Sequence, residues 1–198
     1  MSDTYRTVAG RASAAFEVRG SEFLGHVAPV ETVEAAESFV AEVEVEHADA
    51  THNVPAYRVR ADPFREYATD DGEPSGSAGK PALNVLQGEE IENIACVVTR
   101  YYGGTHLGYG GLVRAYSRAV SEALDAAGAL TERPHTRLSI TAEYDDSGSV
   151  RGIIESTGVG FEADYGERVT FDVRVPSEER DELCDRLRSA TGGRVGIE

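Results

Sequence analysis

The last third of the chain constrains the fold most tightly, because its apolar positions change period at regular intervals. Leu138, Ile140, Ala142 and Tyr144 alternate as a strand, and Val150, Ile153 and Ile154 follow at helical spacing up to Gly158. Val159, Phe161 and Ala163 alternate next, as do Val169, Phe171, Val173 and Val175. Ser177 stands where a helix cap is expected, ahead of Leu183, Cys184 and Leu187. Gly192-Gly193 ends that helix before a last strand with Val195 and Ile197. The order βαββαβ predicts a ferredoxin-like unit, one antiparallel sheet with both helices on one face. Such units can bind RNA through aromatics on the open face. Here the third strand turns Thr170, Asp172 and Arg174 outward and no RNA-recognition signature is present, so that face gives no support for base stacking.

Upstream, residues 1–30 alternate around Arg19-Gly20-Ser21 and predict a β-hairpin. Thr32 is placed to cap a helix whose Val33, Ala36, Phe39, Val40 and Val43 share one face. His52 to Arg60 reads as a strand, followed by a long polar loop from Ala61 to Gly79. Pro81 suits the first turn of a short helix ending near Gly88, where its missing N–H is not needed. Asn93 to Tyr102 reads as a buried strand, and Gly110 to Gly128 as a helix with Leu112, Val113, Tyr116, Val120, Ala123 and Leu124 on its apolar side. Ala129 to Pro134 is the expected boundary between domains spanning 1–132 and 133–198. A chain of 198 residues can bury a core without disulfides. Cys96 and Cys184 both fall in apolar patterns and read as buried, reduced thiols.

Charge is distributed unusually. Lys80 is the single lysine among 19 basic residues, against 35 acidic ones, for a net charge of −16. Near-total loss of lysine in so acidic a chain predicts a salt-rich, halophilic cytoplasm, where a Debye length of about 3 Å screens self-repulsion. No leader pattern opens the sequence and no apolar run approaches the ~18 residues of a membrane span, so a soluble cytoplasmic protein without a membrane partner is expected.

Lys80 closes the glycine- and acid-rich run Asp70-Asp71-Gly72-Glu73-Pro74-Ser75-Gly76-Ser77-Ala78-Gly79. No acid lies between Glu92 and Glu122, where the chain average would place about five. These two departures put the expected functional surface in residues 69–118. In the Gly76–Pro81 turn, backbone N–H groups could converge on an anion beside Lys80, or the turn could be only a tight, capped connection. It is no P-loop, because Pro74 and Pro81 occupy the positions that motif reserves for Gly and Ser or Thr. Asp70, Asp71 and Glu73 could gather a cation, act as bases, or cap nearby N–H groups. The strongest signal is Arg100-Tyr101-Tyr102-Gly103-Gly104 leading through Gly108, Gly110 and Gly111 into a helix that carries Arg114. Strand, glycine loop and helix N-terminus make a natural anion cradle, with Arg100 and Arg114 expected on one ligand. The alternative is close helix-on-sheet packing. Tyr101 and Tyr102 should face opposite ways, one in the core and one exposed for stacking. His52 could face the same cleft. Nothing resembles a nucleophile elbow or a zinc site.

The long run from Asp70 to Gly79, the strand Val97-Val98-Thr99-Arg100-Tyr101-Tyr102-Gly103-Gly104, and Leu107-Gly108 through Gly110-Gly111-Leu112-Val113-Arg114-Ala115-Tyr116 together resemble the signature of the YigZ/Impact family. The resemblance extends over almost the whole chain, including His47, Asp49-Ala50 and His52. Ser77 stands where the family usually has threonine, and Tyr109 replaces a small residue. The resemblance implies an α+β protein: an N-terminal domain with the left-handed βαβ fold of a ribosomal protein and elongation factor G, and a C-terminal domain like the last one of elongation factor G. It also implies a place in translational regulation, since eukaryotic Impact proteins bind a regulator of an initiation-factor kinase.

The expected function is therefore a non-catalytic, translation-associated module that contacts RNA, a ribosomal surface or a regulatory protein. Its contact residues would be His52, Asp71, Glu73, Ser77, Gly79, Lys80, Arg100, Tyr101, Tyr102, Gly103, Gly104, Gly108, Gly110, Gly111 and Arg114. The alternative is an enzyme or sensor for a small phosphorylated ligand. No cofactor and no metal are expected, and the oligomeric state is left open.

Overall fold

The computed structural model describes residues 4–198. They divide into two compact units, Tyr5–Glu132 and Arg133–Glu198, with Thr4 going with the second.

The larger unit is built on a sheet of five strands. The expected hairpin is β2 (Ala12–Val18) and β3 (Ser21–Pro29), turning at Arg19-Gly20. An earlier strand, β1 (Tyr5–Val8), precedes it. Helix α1 (Val33–Glu46) starts where Thr32 accepts the N–H of Ala35 at 3.1 Å, the cap expected from sequence. Then follow β4 (His52–Val59), β5 (Arg65–Ala68), α2 (Gly79–Gly88), β6 (Ile94–Tyr101), α3 (Tyr109–Ala127) and β7 (Ala129–Glu132). The strand order is β2-β3-β6-β4-β5, with every pairing antiparallel.

Strand β6 is central and apolar because both its faces are covered. Ile94, Cys96 and Val98 pack with Phe23, Leu112 and Tyr116 beneath α2 and α3. Ala95 and Val97 pack on the other face with Ala36, Phe39 and Val43 of α1. Each large side chain fully withdrawn from water here contributes about 1.5–3 kcal/mol. Cys96 lies in this layer, where burial pushes its thiol pKa up to about 12.

Two strands were not expected from the sequence. The polar loop from Ala61 to Gly79 contains β5, which pairs with β4 as an exposed edge, Tyr67 stacking on Tyr57 at 5.1 Å. The boundary stretch starting at Ala129 is itself a strand, β7, which pairs with β1 to tie the two ends of the larger unit together.

The smaller unit runs β8 (His135–Ala142), α4 (Tyr144–Ser156), β9 (Phe161–Tyr165), β10 (Val169–Pro176), a 3₁₀ turn (Ser177–Glu179), α5 (Arg180–Ala190) and β11 (Gly196–Ile197). Its sheet order, β11-β8-β10-β9, all antiparallel, is the ferredoxin-like arrangement. Leu138, Ile140, Phe171 and Val173 face α4 and α5 across Val150, Ile154, Leu183 and Leu187. Cys184 is buried among them as a free thiol. Tyr144 opens α4 instead of ending the strand. Ser177 caps no helix: its hydroxyl meets that of Thr136 at 2.9 Å, and α5 begins after the 3₁₀ turn. Among the described residues, no helix of either unit is long and apolar enough to cross a membrane.

Candidate functional site

The loop between β5 and α2 is organised by its own carboxylates. Asp70 accepts the N–H groups of Gly76 at 2.7 Å, Ala78 at 3.0 Å and Gly79 at 2.9 Å. Burial raises the pKa of its carboxyl, but the three N–H bonds outweigh burial and hold it below the usual value. The anion nest expected in this turn therefore exists, and Asp70 fills it. Ser77 is buried, Gly79 lies with its backbone against that of Thr69, and Lys80 is exposed on α2. None of these three enters the cleft described below. Asp71 accepts the N–H of Asn53 at 2.7 Å, and its carbonyl accepts from His52 Nδ1 at 2.6 Å, so it places β4 and the histidine.

This bracing delivers Glu73 to a buried position over β6. Its Oε1 accepts Arg100 Nη1 at 2.6 Å and the Tyr116 hydroxyl at 2.8 Å. The side chains of Arg100 and Glu73 are only 6% and 4% exposed. Burial, and then the adjacent Glu73 carboxylate, raise the Tyr116 pKa, so that hydroxyl remains a donor. His52 Nε2 stands 3.9 Å from the same carboxylate oxygen. Arg100 also reaches Ser21 Oγ at 3.5 Å, while its Nε is buried without a partner. Its guanidinium carbon is 5.2 Å from the centre of the Tyr102 ring.

Above this floor lies a cleft of ≈340 Å³. Thr51 and His52 enter it at the start of β4, Glu73 and Pro74 from the acidic loop, Arg100 from β6 and Tyr102 just after it, His106 to Gly108 from the loop before α3, and Tyr109 and Leu112 from α3. Tyr102 is 39% exposed and lies 5.7 Å from His106, centre to centre. Tyr109 bonds the carbonyl of Gly76 at 3.1 Å, which ties α3 to the acidic loop.

The glycine run divides into two roles. The N–H groups of Tyr102 and Gly103 are already taken by Thr51 Oγ1 at 2.9 Å and Ser21 Oγ at 3.1 Å. A Cβ on Gly103 would overlap the Gly20 carbonyl, so this glycine serves close packing against the hairpin turn. Gly104 makes no such approach. At the N-terminus of α3, by contrast, Gly108 has φ +70° and no side chain caps the helix, leaving the first-turn N–H groups, with Gly110 and Gly111 among them, facing outward. The cradle thus belongs to α3 alone. Tyr101 is not core either: its hydroxyl donates to Asp49 at 3.1 Å and lies 2.9 Å from His47 Nδ1.

Arg114 departs from expectation more sharply. It lines a separate groove of ≈270 Å³ with Phe16, Arg19, Leu107 and Arg118, on the other side of Leu107 from Arg100. Arg100 is spent on Glu73, so the two arginines do not converge on one ligand. Arg118 caps the groove with its guanidinium 4.0 Å from the Phe16 ring centre and is paired to Glu122 at 2.7 Å. No ion pair holds Arg19 or Arg114 among the described residues.

Sequence reasoning missed Thr51, Ser21, Arg19, His106 and the polar role of Tyr116. Tyr116 had one legible signal: a tyrosine on an apolar helix face needs a partner for its hydroxyl. His106 could have been chosen from its place inside the acid-free run. No cluster of three or more His, Cys, Asp or Glu side chains able to hold a metal occurs among the described residues.

Fold and site together define a two-domain α+β protein whose larger unit carries an arginine- and aromatic-lined cleft at a helix N-terminus. Residues 19–124 match the Impact N-terminal domain, and residues 140–194 match a domain of unknown function, DUF1949. The chain is 34% identical over 198 residues to IMPACT family member YvyE of Bacillus subtilis, covering 100% of this chain and 91% of that protein. It is 36% identical over 184 residues to IMPACT family member YigZ of Escherichia coli, covering 91% and 90%. A crystal structure titled as that of a hypothetical protein superposes with a TM-score of 0.74 at 32% identity, over 100% of this chain and 97% of that one. The chain belongs to the IMPACT family.

Proposed function

We propose that this chain is a non-catalytic, translation-associated regulatory module that binds RNA, free or on a ribosomal surface, through the cleft and the neighbouring arginine groove. One observation carries the reading. In a chain of net charge −16, the linings of both depressions contain four arginines and a single carboxylate, Glu73, which is buried against Arg100. Tyr102, His106 and Tyr109 offer stacking surfaces, each worth about 1–3 kcal/mol per base. Arg19 and Arg114 supply forks for phosphate, and the α3 N–H groups add a third anion contact. Family membership supports the link to translation.

The test is fluorescence anisotropy with labelled single-stranded RNA across a salt series. Arg19→Ala combined with Arg114→Ala lowers affinity uniformly over sequences and reduces the slope of log K against log salt by about 1.4, without changing the melting temperature. Equal affinity and slope for wild type and variant refute the reading. A small phosphorylated ligand is the second reading, favoured by the uncapped α3 N-terminus. It requires a thermal shift with nucleotides or sugar phosphates, since saturation at 100 times Kd stabilises by about 2.7 kcal/mol.

A further inference from the structure

The floor of the cleft has a hydrogen-bonding polarity that its walls do not use. The Asp71 carbonyl only accepts, so its 2.6 Å contact places the proton of a neutral His52 on Nδ1 and leaves Nε2 as an acceptor. Glu73 Oε1, 3.9 Å from that nitrogen, is occupied by Arg100 and Tyr116. Its other oxygen, Oε2, receives no donor among the described residues. A carboxylate and an imidazole whose nearest atoms stand 3.9 Å apart thus offer two acceptors at the base of a cleft walled by Tyr102, His106 and Leu112. At ≈340 Å³ the cleft is near the lower bound of small-ligand sites, about 300 Å³, which suits one planar group and not a length of strand.

Building on the RNA reading above, we infer that the cleft takes one unstacked guanine, read by Glu73 Oε2 and His52 Nε2. Adjacent acceptors require adjacent donors, and guanine alone among the four bases presents them, N1–H beside the 2-amino group. Adenine and cytosine each set an acceptor next to their one amino donor on this edge, and uracil flanks its single N–H with carbonyls. The ring stacks on Tyr102 and His106, as bases held outside a helix do on aromatic side chains. The backbone then leaves across the α3 N-terminus toward Arg114 and Arg19.

The test uses the wild-type protein, because Glu73 variants disturb the buried pair. U-rich ribo-pentamers carrying one central guanosine, inosine or adenosine are compared by anisotropy. Guanosine binds about tenfold or more tightly than adenosine, and inosine, which keeps N1–H and lacks the amino group, falls between them. His52→Phe retains a ring, removes Nε2, and lowers guanosine to the inosine level. Equal binding of guanosine and adenosine pentamers overturns the guanine site and leaves the RNA reading standing, whereas no binding of any pentamer overturns both. Displacement of the guanosine pentamer by agmatine but not by guanosine monophosphate also overturns the inference, since the acceptors then read a guanidinium.

Discussion

Removing Glu73 should expose how much of the larger unit depends on one buried carboxylate. Glu73→Ala leaves Arg100, with its side chain only 6% exposed, without its 2.6 Å partner, and strands the Tyr116 hydroxyl that sat 2.8 Å from the same oxygen. Breaking a buried pair by deleting one member costs about 3–5 kcal/mol, because the remaining charge stays desolvated. For a unit of this size each kcal/mol moves the melting temperature by roughly 3–4 °C, so a fall of about 10–20 °C is expected. Combining Glu73→Ala with Arg100→Met removes the stranded charge, and the double variant should melt above Glu73→Ala alone. The coupling should persist in molar salt, where exposed pairs are screened and buried ones are not. Denaturation followed by circular dichroism, run as a double-mutant cycle at low and high salt, measures it. Additive single effects, or a loss for Glu73→Ala below about 1 kcal/mol, would mean a solvated pair and an Arg100 free to bind ligand.

Other expectations follow from the same geometry. Asp70 has its folded pKa depressed, so its stabilising contribution is complete above the unfolded carboxyl value and is lost as pH falls through the folded one. Asp70→Asn should therefore flatten the acid limb of the urea midpoint against pH; an unchanged acid limb would contradict the capping role. Gly103→Ala forces a methyl into the Gly20 carbonyl and should destabilise by about 2–3 kcal/mol, while Gly104→Ala, strained by its φ of +85° but free of overlap, should cost less; a reversed order in chemical denaturation counts against the packing account. The Cys96 thiol, held at about 12 by burial, should resist a thiol reagent at pH 8 until the protein unfolds. Labelling of native protein at an exposed-thiol rate would place Cys96 outside the core.

The chain wrote its local structure plainly wherever a strong period or a cap was at work. Thr32, the Arg19-Gly20 turn and the alternation along β10 each fix their element through contacts within a few residues. The acid-free window and the run from Asp70 to Gly79 both contribute residues to the candidate cleft. Three-dimensional neighbours were a different matter. Strands β1 and β7 have four residues each and lie at opposite ends of the larger unit, so neither carries a pattern until the other is beside it. Strand β5 is exposed and polar, and pairing with β4 makes it a strand.

Glycine, carboxylate and arginine side chains each admit two uses, and nearest neighbours in the sequence do not choose between them. Which anion fills the turn before α2 depended on Asp70 folding back onto the N–H groups of Gly76, Ala78 and Gly79. Whether Arg100 meets a ligand or a carboxylate depended on Glu73 arriving from another element, at 2.6 Å. Sequence alone set the strongly periodic strands and helices and the region of the cleft, because backbone periodicity and capping act over a few residues. Tertiary structure alone decided which charges are spent inside and which stay unpaired at the surface, because a buried charge takes whichever opposite group packing brings within reach.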